Sequence, residues 1–148
     1  MEYTQQQVRL AIGVGQQTFR YWKATLSPLA RKSGKSGLFT VGEMLALSVV
    51  DQLVRGYKMD VSALAPIAQE LFALCSNPLQ LSKSPTLICI DLNEGRLMIA
   101  RHAKELPVDS TYVVVPVSRL WQRISETLMD KTAVRYQKEL PIPLASVR

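Results

Sequence analysis

Apolar residues in the first part of the chain recur at helical spacing, and polar residues suited to helix ends separate them. Thr4 and Gln7 have the spacing of a capping box, in which each side chain accepts a hydrogen bond from the other residue's backbone N–H. Gly13 suits the left-handed residue that ends a helix. Phe19 and Trp22 then lie three residues apart, on one face of a second helix. The pattern predicts two short helices joined by a glycine-containing turn, which is a helix-turn-helix.

The second helix is predicted from about Gly15 to Lys23, and a basic loop, residues 26–40, follows it. Pro28 and two glycines give this loop a composition that is typical of turns. We interpret the loop as a small hairpin that the apolar pair Leu38 and Phe39 closes.

Two further helices are predicted after this loop. Thr40 and Glu43 form a second capping box, and the acidic side chain also favours the positive end of the helix dipole. The helix from about Val41 to Arg55 has apolar residues on more than one face, so we expect it at the centre of the N-terminal core. A fourth helix should run from about Ser62 to Leu74, with Pro66 close to its first turn because proline has no backbone N–H to donate.

Beyond Pro85 the apolar pattern becomes that of strands. Residues 86–92 and 96–100 flank a glycine-containing turn and predict two strands of a hairpin. Residues 111–116 are mostly β-branched and predict a third strand, which we expect at the centre of the sheet or covered. A last helix is predicted over residues 118–136, where apolar residues recur every four positions.

Proline and serine residues between the fourth helix and the first strand indicate a domain boundary. The predicted fold class is therefore α+β, with a four-helix N-terminal domain over residues 1–80 and a small β-β-β-α domain over residues 85–148. One helix covers only one face of a three-stranded sheet, and a second copy of the chain would cover the other face. The side chains predicted at that dimer interface are Tyr112, Val114, Leu120, Trp121, Ile124 and Leu128.

Composition and charge narrow the class of protein. The 148 residues are 47% hydrophobic and 20% charged, which excludes a disordered chain. No apolar run approaches the roughly 18 residues of a membrane-spanning helix, and the N-terminus lacks a signal-peptide pattern, so we expect a cytoplasmic protein without a membrane partner. Residues 1–58 carry eight basic and three acidic side chains, whereas residues 59–148 carry ten and nine. The basic first part indicates a polyanion-binding segment.

Residues for catalysis and metal binding are sparse. The single histidine, His102, is expected on a surface loop, and Cys75 and Cys89 are expected to be buried as small apolar side chains. The sequence contains no phosphate-binding glycine loop, no nucleophile elbow and no carboxylate pair spaced for acid–base work. We therefore predict a protein that is not an enzyme and has no cofactor and no metal site.

Five short segments within the first 75 residues share the pattern of a known family. They are Tyr3-Thr4, Val14-Gly15, Thr18-Phe19-Arg20-Tyr21-Trp22, Gly37-Leu38-Phe39-Thr40 and Arg55-Gly56. In these segments the chain resembles the DNA-binding domain of the mercury-resistance-regulator (MerR) family of bacterial transcription factors. The resemblance covers about half of the chain, and its most specific part is Phe-Arg-Tyr-Trp.

The resemblance implies a winged helix-turn-helix, with the second helix in the major groove and the basic loop as a wing on the phosphate backbone. It implies DNA contacts for Arg20 and Tyr21 and a core position for Trp22. Gly37 stands close to where the family has an arginine, which shifts the wing contacts to other cations of the loop. These cations are Arg31, Lys32 and Lys35. The family continues into a long dimerisation helix whereas this chain enters strands, so metal or drug sensing is not carried over.

We therefore expect a sequence-specific DNA-binding transcription regulator of bacterial or phage type, a homodimer that binds double-stranded DNA at a two-half-site operator in the nucleoid. Gln16 and Gln17 carry amides that can pair with adenine, and Arg20 can contact guanine or phosphate. The predicted DNA-binding residues are Gln16, Gln17, Thr18, Arg20, Tyr21, Lys23, Arg31, Lys32 and Lys35. The sequence does not reveal whether the protein responds to a small-molecule effector.

Two other functions fit the same residues. An excisionase-like accessory factor uses a similar winged fold to bend DNA in recombination, and it would bind attachment sites rather than promoters. In the other alternative, the β-rich half is a protein or small-ligand interaction module and the N-terminal half does not bind DNA.

Overall fold

A computed structural model describes residues 2–32 and 37–139, which form an α+β protein with several helices and a small three-stranded sheet. Lys35, one of the predicted DNA contacts, lies outside these residues. The α-helices described are α1 (Gln5–Ile12), α2 (Gln16–Thr25), α3 (Ser27–Ala30), α4 (Val41–Asp51), α5 (Val61–Leu64), α6 (Ala68–Leu74), α7 (Pro78–Ser82) and α8 (Val117–Glu139). The strands described are β1 (Glu2–Tyr3), β2 (Phe39–Thr40), β3 (Leu87–Asp91), β4 (Arg96–Ala100) and β5 (Tyr112–Pro116).

The first two helices form as their end signals predict. The Thr4 hydroxyl accepts from the Gln7 backbone N–H at 3.3 Å, and the Gln7 side chain accepts from the Thr4 backbone N–H at 2.8 Å. Gly13 ends α1 with φ 79°, in the left-handed region that favours glycine. The capping box and the glycine turn are therefore both confirmed.

The basic loop differs from the predicted hairpin. Its first part forms α3, and β2 pairs antiparallel with the N-terminal strand β1 rather than with a strand of the described part of the loop. The cause is the core, because Phe39 is fully buried and meets Phe19 edge to face at 5.7 Å between ring centroids. Leu38, the other member of the predicted closing pair, is 44% exposed.

Helix α4 lies at the centre of the core, as its apolar composition predicts. Every residue from Gly42 to Val50 except Glu43 is buried, and α4 contacts α1, α6, α7 and α8. The capping box is confirmed, since Thr40 accepts from the Glu43 N–H at 3.1 Å while the Glu43 carboxylate accepts from the Thr40 N–H at 2.8 Å. Past Asp51 the helix widens into one π turn, Gln52–Gly56.

The predicted fourth helix is divided into two. A 3-10 turn, Ala65–Ile67, separates α5 from α6. Pro66 lies in this turn, where its missing N–H breaks the regular helical hydrogen-bond series. The start also differs by one residue, because Asp60 caps α5 by accepting from the Ser62 N–H at 3.0 Å.

The three predicted strands are present, in the order β4-β3-β5. Strand β3 is central, pairing antiparallel with both neighbours, for example Ile90 with Leu97 and with Val113. Of the two alternatives predicted for residues 111–116, the covered strand is the one observed, because β5 lies at an edge while its Val113 and Val115 are buried. A short turn places β4 beside β3, so β5 lies at the opposite edge of the sheet. At that edge the Tyr57 hydroxyl donates to the Val114 carbonyl at 2.9 Å.

The predicted N-terminal and C-terminal segments share one buried apolar cluster. It extends from Val8 to Ile124 and includes the inner-face residues Ile88 and Ile90 of β3. Helix α8 packs against α1, α4 and α7, and α7 itself occupies residues that the sequence indicated as a boundary. The sheet is thus held against the helical half by the last helix.

Gly42 provides a test of the packing between α4 and the end of α6. A Cβ atom at this position would lie 2.5 Å from the Cys75 carbonyl oxygen and 3.0 Å from the Cα of Ser76. We expect Gly42→Ala to lower the free energy of unfolding by about 1–3 kcal/mol, because two backbone segments must move apart. Gly15→Ala is the matched control, since a Cβ atom there would meet nothing within 4 Å beyond its own chain neighbours. Urea unfolding of both variants measures the difference, and equal midpoints would contradict the close packing.

Asp91, at the end of β3, predicts a dependence of stability on pH. Its carboxylate accepts from the Ser110 hydroxyl at 2.6 Å and from the backbone N–H groups of Asn93 and Glu94 at 2.8 and 3.1 Å. The hydrogen bond from Ser110 has the largest effect, and together these bonds lower the pKa of Asp91. Because the folded-state pKa is depressed, the stabilisation is present above the ordinary aspartate pKa of about 4 and is lost as the pH falls through the folded-state pKa.

We therefore expect Asp91→Asn to lower the melting temperature at neutral pH and to have little effect in acid. Thermal unfolding of both proteins over this pH range measures the effect. An Asp91→Asn deficit that stays constant down to acid pH would contradict the role of the carboxylate.

Candidate nucleic-acid interface

Helix α2 has a polar stripe on the side away from its buried residues. Phe19 and Trp22 anchor it in the core with 0% and 1% of their surface exposed. At about 100° of rotation per residue, Gln17, Arg20 and Tyr21 turn away from that pair and Gln16 lies at its side, and all four are exposed. We call these residues, 16, 17, 20 and 21, the α2 stripe. It joins two amides, a guanidinium and a phenol on one surface.

Two of the predicted DNA contacts on α2 lie at the edges of this stripe. Thr18 is exposed and is adjacent in rotation to Trp22. Lys23 is half-buried and interacts within the protein. Both residues can reach a ligand only from the side of the helix.

Arg55 is hydrogen-bonded to the turn between α1 and α2. Its guanidinium donates to the backbone carbonyls of Gly13 and Ile12 at 3.0 and 3.1 Å, and it forms an ion pair with Asp51. The hydrogen bond that Arg55 donates to the Asp51 carboxylate raises the pKa of Arg55 further above its already high value. A cation on the carbonyl end of α1 also complements the helix dipole. The π turn after α4 is what carries Arg55 to this position.

The stretch of sequence that contains α2 carries charge of one sign. No acidic residue occurs in the sequence between Glu2 and Glu43, whereas this interval contains six Lys or Arg residues. Neither α1 nor α2 has an acidic residue in its first turn, and Gly15 gives α2 no side-chain cap. The N-terminal N–H groups of α2 therefore keep their partial positive charge.

The cations of the basic loop have different environments. Arg31 is exposed and borders a cleft of about 240 Å³ that Ser27, Gln69 and Phe72 also line. Lys32 is engaged within the protein, because its ammonium lies 3.0 Å from the Glu43 carboxylate, donates to the Leu38 carbonyl and stands 5.0 Å from the centre of the Phe39 ring. Lys32 thus joins the two ends of the loop and is less available to a phosphate than the sequence suggested.

A polar cleft of about 450 Å³ lies between α1 and the start of α2. The residues that line it are Thr4, Gln5, Gln6, Arg9 and Gln16. Sequence reasoning did not select Arg9, because it belongs to the first helix and not to the predicted recognition helix. The one signal in the sequence was its position as the single charge in a helix that begins with three glutamines.

The predicted dimerisation residues separate into two groups. Leu120 and Ile124 are buried in the core of the single chain, while Trp121 and Leu128 are half-buried and packed against it. All four therefore pack within the subunit. Leu120 and Ile124 are buried there and do not reach a partner, while an interface role for Trp121 and Leu128 stays a prediction. Their helix is the one that attaches the sheet, so its apolar stripe is used within the chain.

Tyr112 and Val114 lie on the other face of the sheet. Register places Val114 and Met98 on either side of Cys89, and alternation directs all three to the same face. Cys89 is buried, but Val114, Met98 and Tyr112 are only half-buried, and none of them belongs to the main core cluster. We call this surface the outer sheet face.

The remaining reactive side chains are placed as the sequence predicted. His102 is exposed, and Cys75 and Cys89 are buried as free thiols. Burial raises the pKa of Cys75 to about 12 and also raises that of Cys89, so both remain protonated at neutral pH. Within residues 2–32 and 37–139, no three His, Cys, Asp or Glu residues are grouped as a metal site.

Comparison with known proteins gives no indication of function for this chain. No protein family matches the sequence, and no curated protein is similar enough to count as a relative. Among the described helices, none is both long and apolar enough to cross a membrane.

Proposed function

We propose that this protein is a sequence-specific DNA-binding transcription regulator with a MerR-like winged helix-turn-helix, acting in the cytoplasm on the nucleoid. The observation that carries the proposal is the α2 stripe: two glutamines, an arginine and a tyrosine exposed on a helix whose opposite side is fixed in the core. The absence of acidic residues from the surrounding sequence supports the same function, since DNA presents a dense row of phosphates.

In this proposal α2 lies in the major groove. The Gln16 and Gln17 amides can each pair with the N6 and N7 atoms of adenine, and Arg20 can donate two hydrogen bonds to guanine. Tyr21 and Arg31 bind phosphates at the sides of the groove. Lys32 has a second role, because its contacts with Glu43 and Leu38 hold the basic loop in place as a wing.

The proposed regulator is a homodimer that pairs through the outer sheet face. One helix-turn-helix reads few base pairs, so useful affinity requires two half-sites and a twofold protein. The outer sheet face supplies half-buried apolar side chains that the main core leaves uncovered. Sedimentation of the purified chain at micromolar concentration tests this pairing. A dimer that Val114→Lys converts to a folded monomer supports it, and a wild-type monomer contradicts it.

Selection of bound fragments from genomic and random DNA tests the function itself. We expect a palindromic site near promoters and an affinity that falls steeply with salt. Enrichment of recombination attachment sites, together with strong DNA bending, would favour the excisionase-like alternative instead. Failure to retain any duplex at low salt would contradict DNA binding and leave the interaction-module alternative.

A further inference from the structure

Strand β4 forms one edge of the three-stranded sheet, and its backbone direction follows from the bonds of its neighbours. On the β5 side of β3, the Leu92 N–H donates to the Thr111 carbonyl at 2.9 Å. Because backbone groups alternate in direction along an antiparallel strand, the even-numbered residues of β3 bond to β5 and the odd-numbered ones bond to β4. The register therefore leaves the backbone N–H and C=O groups of Leu97 and Ile99 pointing away from the sheet.

The two edges of the sheet differ in how they are protected. At the β5 edge, the Tyr57 hydroxyl donates to the Val114 carbonyl and Pro116 has no N–H to offer. At the β4 edge, the four outward groups of Leu97 and Ile99 have no hydrogen-bond partner among the described residues. An unpaired edge strand without proline or lysine is a template for another strand.

The β4 edge is apolar and complementary to itself. Ile99 is 47% exposed although it belongs to a strand. An antiparallel pairing centred on Met98 would place Leu97 of each copy opposite Ile99 of the other. All four outward backbone groups would then be bonded, and the exposed Ile99 side chain would pack against a leucine.

The charges at the two ends of β4 favour the same pairing. Residues 91–95 carry two acidic side chains and no basic one, whereas residues 101–105 carry two basic and one acidic. An antiparallel second copy brings the acidic end of one strand beside the basic end of the other, and the twofold symmetry repeats this contact. Arg96 would face Ala100, so no like charges lie opposite each other within the strands.

We propose that the β4 edge pairs with β4 of a second copy of this chain, which joins two three-stranded sheets into one. The contact is separate from the outer sheet face, so one subunit can use both. Strands of five residues bury far less area than a stable dimer needs, so we expect a weak contact with a dissociation constant of roughly 0.1–1 mM.

A contact of this strength acts when two molecules are held close together. Neighbouring regulators on one duplex reach millimolar effective concentrations, so edge pairing would make their binding cooperative. This consequence rests on the proposed function, whereas the pairing itself does not.

Amide hydrogen exchange followed by NMR tests the pairing in the wild-type chain, at roughly 20 μM and roughly 1 mM protein. The amides of Leu97 and Ile99 should exchange about two- to fourfold more slowly at the higher concentration, because pairing protects them by mass action. The Val114 amide is the internal control. It points outward at the β5 edge and should exchange at the same rate at both concentrations.

A pair of lysine variants locates the contact. Ile99→Lys brings one charge from each copy to the edge, and the partial exposure of this position lets the folded chain accept it. We expect the concentration dependence of the Leu97 amide to disappear while the melting temperature stays close to that of the wild type. Val108→Lys is the matched control, since it makes the same change from a β-branched side chain at a position that is 96% exposed and outside the strand. It should keep the concentration dependence.

Three results would overturn the proposal. Leu97 and Ile99 amides that exchange equally fast at both concentrations would show an edge that stays unpaired, and equally slow exchange would show an edge that the chain itself covers. A concentration dependence that Ile99→Lys leaves intact would place the association elsewhere. All of these measurements use the free protein, so the selection of bound DNA fragments decides the proposed function independently.

Discussion

Arg20→Ala is expected to cost about 1–3 kcal/mol of operator binding per half-site and to relax the preference at one base pair of the selected site. Arg20 is exposed at the middle of the α2 stripe, and the rigid anchoring of Phe19 and Trp22 limits how far the helix can move to compensate. In the proposed complex, the loss of a bidentate donor would also leave the guanine acceptors without a partner in a partly dehydrated groove.

Anisotropy titrations with the selected operator and with a scrambled duplex measure this effect. The loss should be larger on the operator, because a base contact discriminates whereas a phosphate contact does not. Arg101→Ala is the matched control, since it removes the same charge from an exposed position after β4. Equal losses for Arg20→Ala and Arg101→Ala would show that only net charge matters and would contradict the stripe.

Trp22→Ala should have the largest effect on stability, lowering the free energy of unfolding by about 3–5 kcal/mol. Trp22 is the largest of the fully buried side chains and is 1% exposed. Its removal leaves a cavity beneath the helix that carries the stripe, and the surrounding backbone can fill only part of it. Domains of this size are stable by roughly 5–15 kcal/mol, so the variant should lose a large share of the total and melt at a clearly lower temperature.

Tyr21→Ala provides the contrast to Trp22→Ala. Tyr21 is the adjacent aromatic but is 55% exposed, so its removal should change stability by less than about 1 kcal/mol while weakening DNA binding. Urea unfolding followed by circular dichroism measures both variants. If Tyr21→Ala destabilises the protein as much as Trp22→Ala, the assignment of one aromatic to the core and the other to the interface is wrong.

The accuracy of the sequence predictions depended on how local each signal was. The capping boxes at Thr4 and Thr40 and the left-handed glycine at position 13 are contained within one turn of helix, and all are confirmed. The inward position of Phe19 and Trp22 follows from their spacing alone. The outward position of the α2 stripe then follows from helix geometry, so most of the candidate interface was predictable.

The errors occurred where partners distant in sequence decide the structure. Strand β2 pairs with β1, more than thirty residues away, because Phe39 is drawn into the core against Phe19. The composition of residues 111–116 suits an edge strand as well as a central one. In the structure this strand is at an edge, where the Tyr57 hydroxyl donates to the Val114 carbonyl. The spacing of Leu120 and Ile124 fits a helix at a dimer interface as well as a helix in the core. Only the packing of α8 against α4 shows that they belong to the core.

The sequence by itself determined the longer helices and the three strands of the C-terminal sheet, which side of α2 is polar, and that the first part of the chain is basic. Each of these properties depends on residue types and on residues close by in the sequence, so it can be read from the sequence directly. The tertiary structure alone decided that Lys32 holds the loop instead of standing free, that Arg55 fixes the turn before α2, and that Arg9 lines a cleft beside Gln16. These contacts join residues up to about forty positions apart, and they form because the buried core brings their helices together.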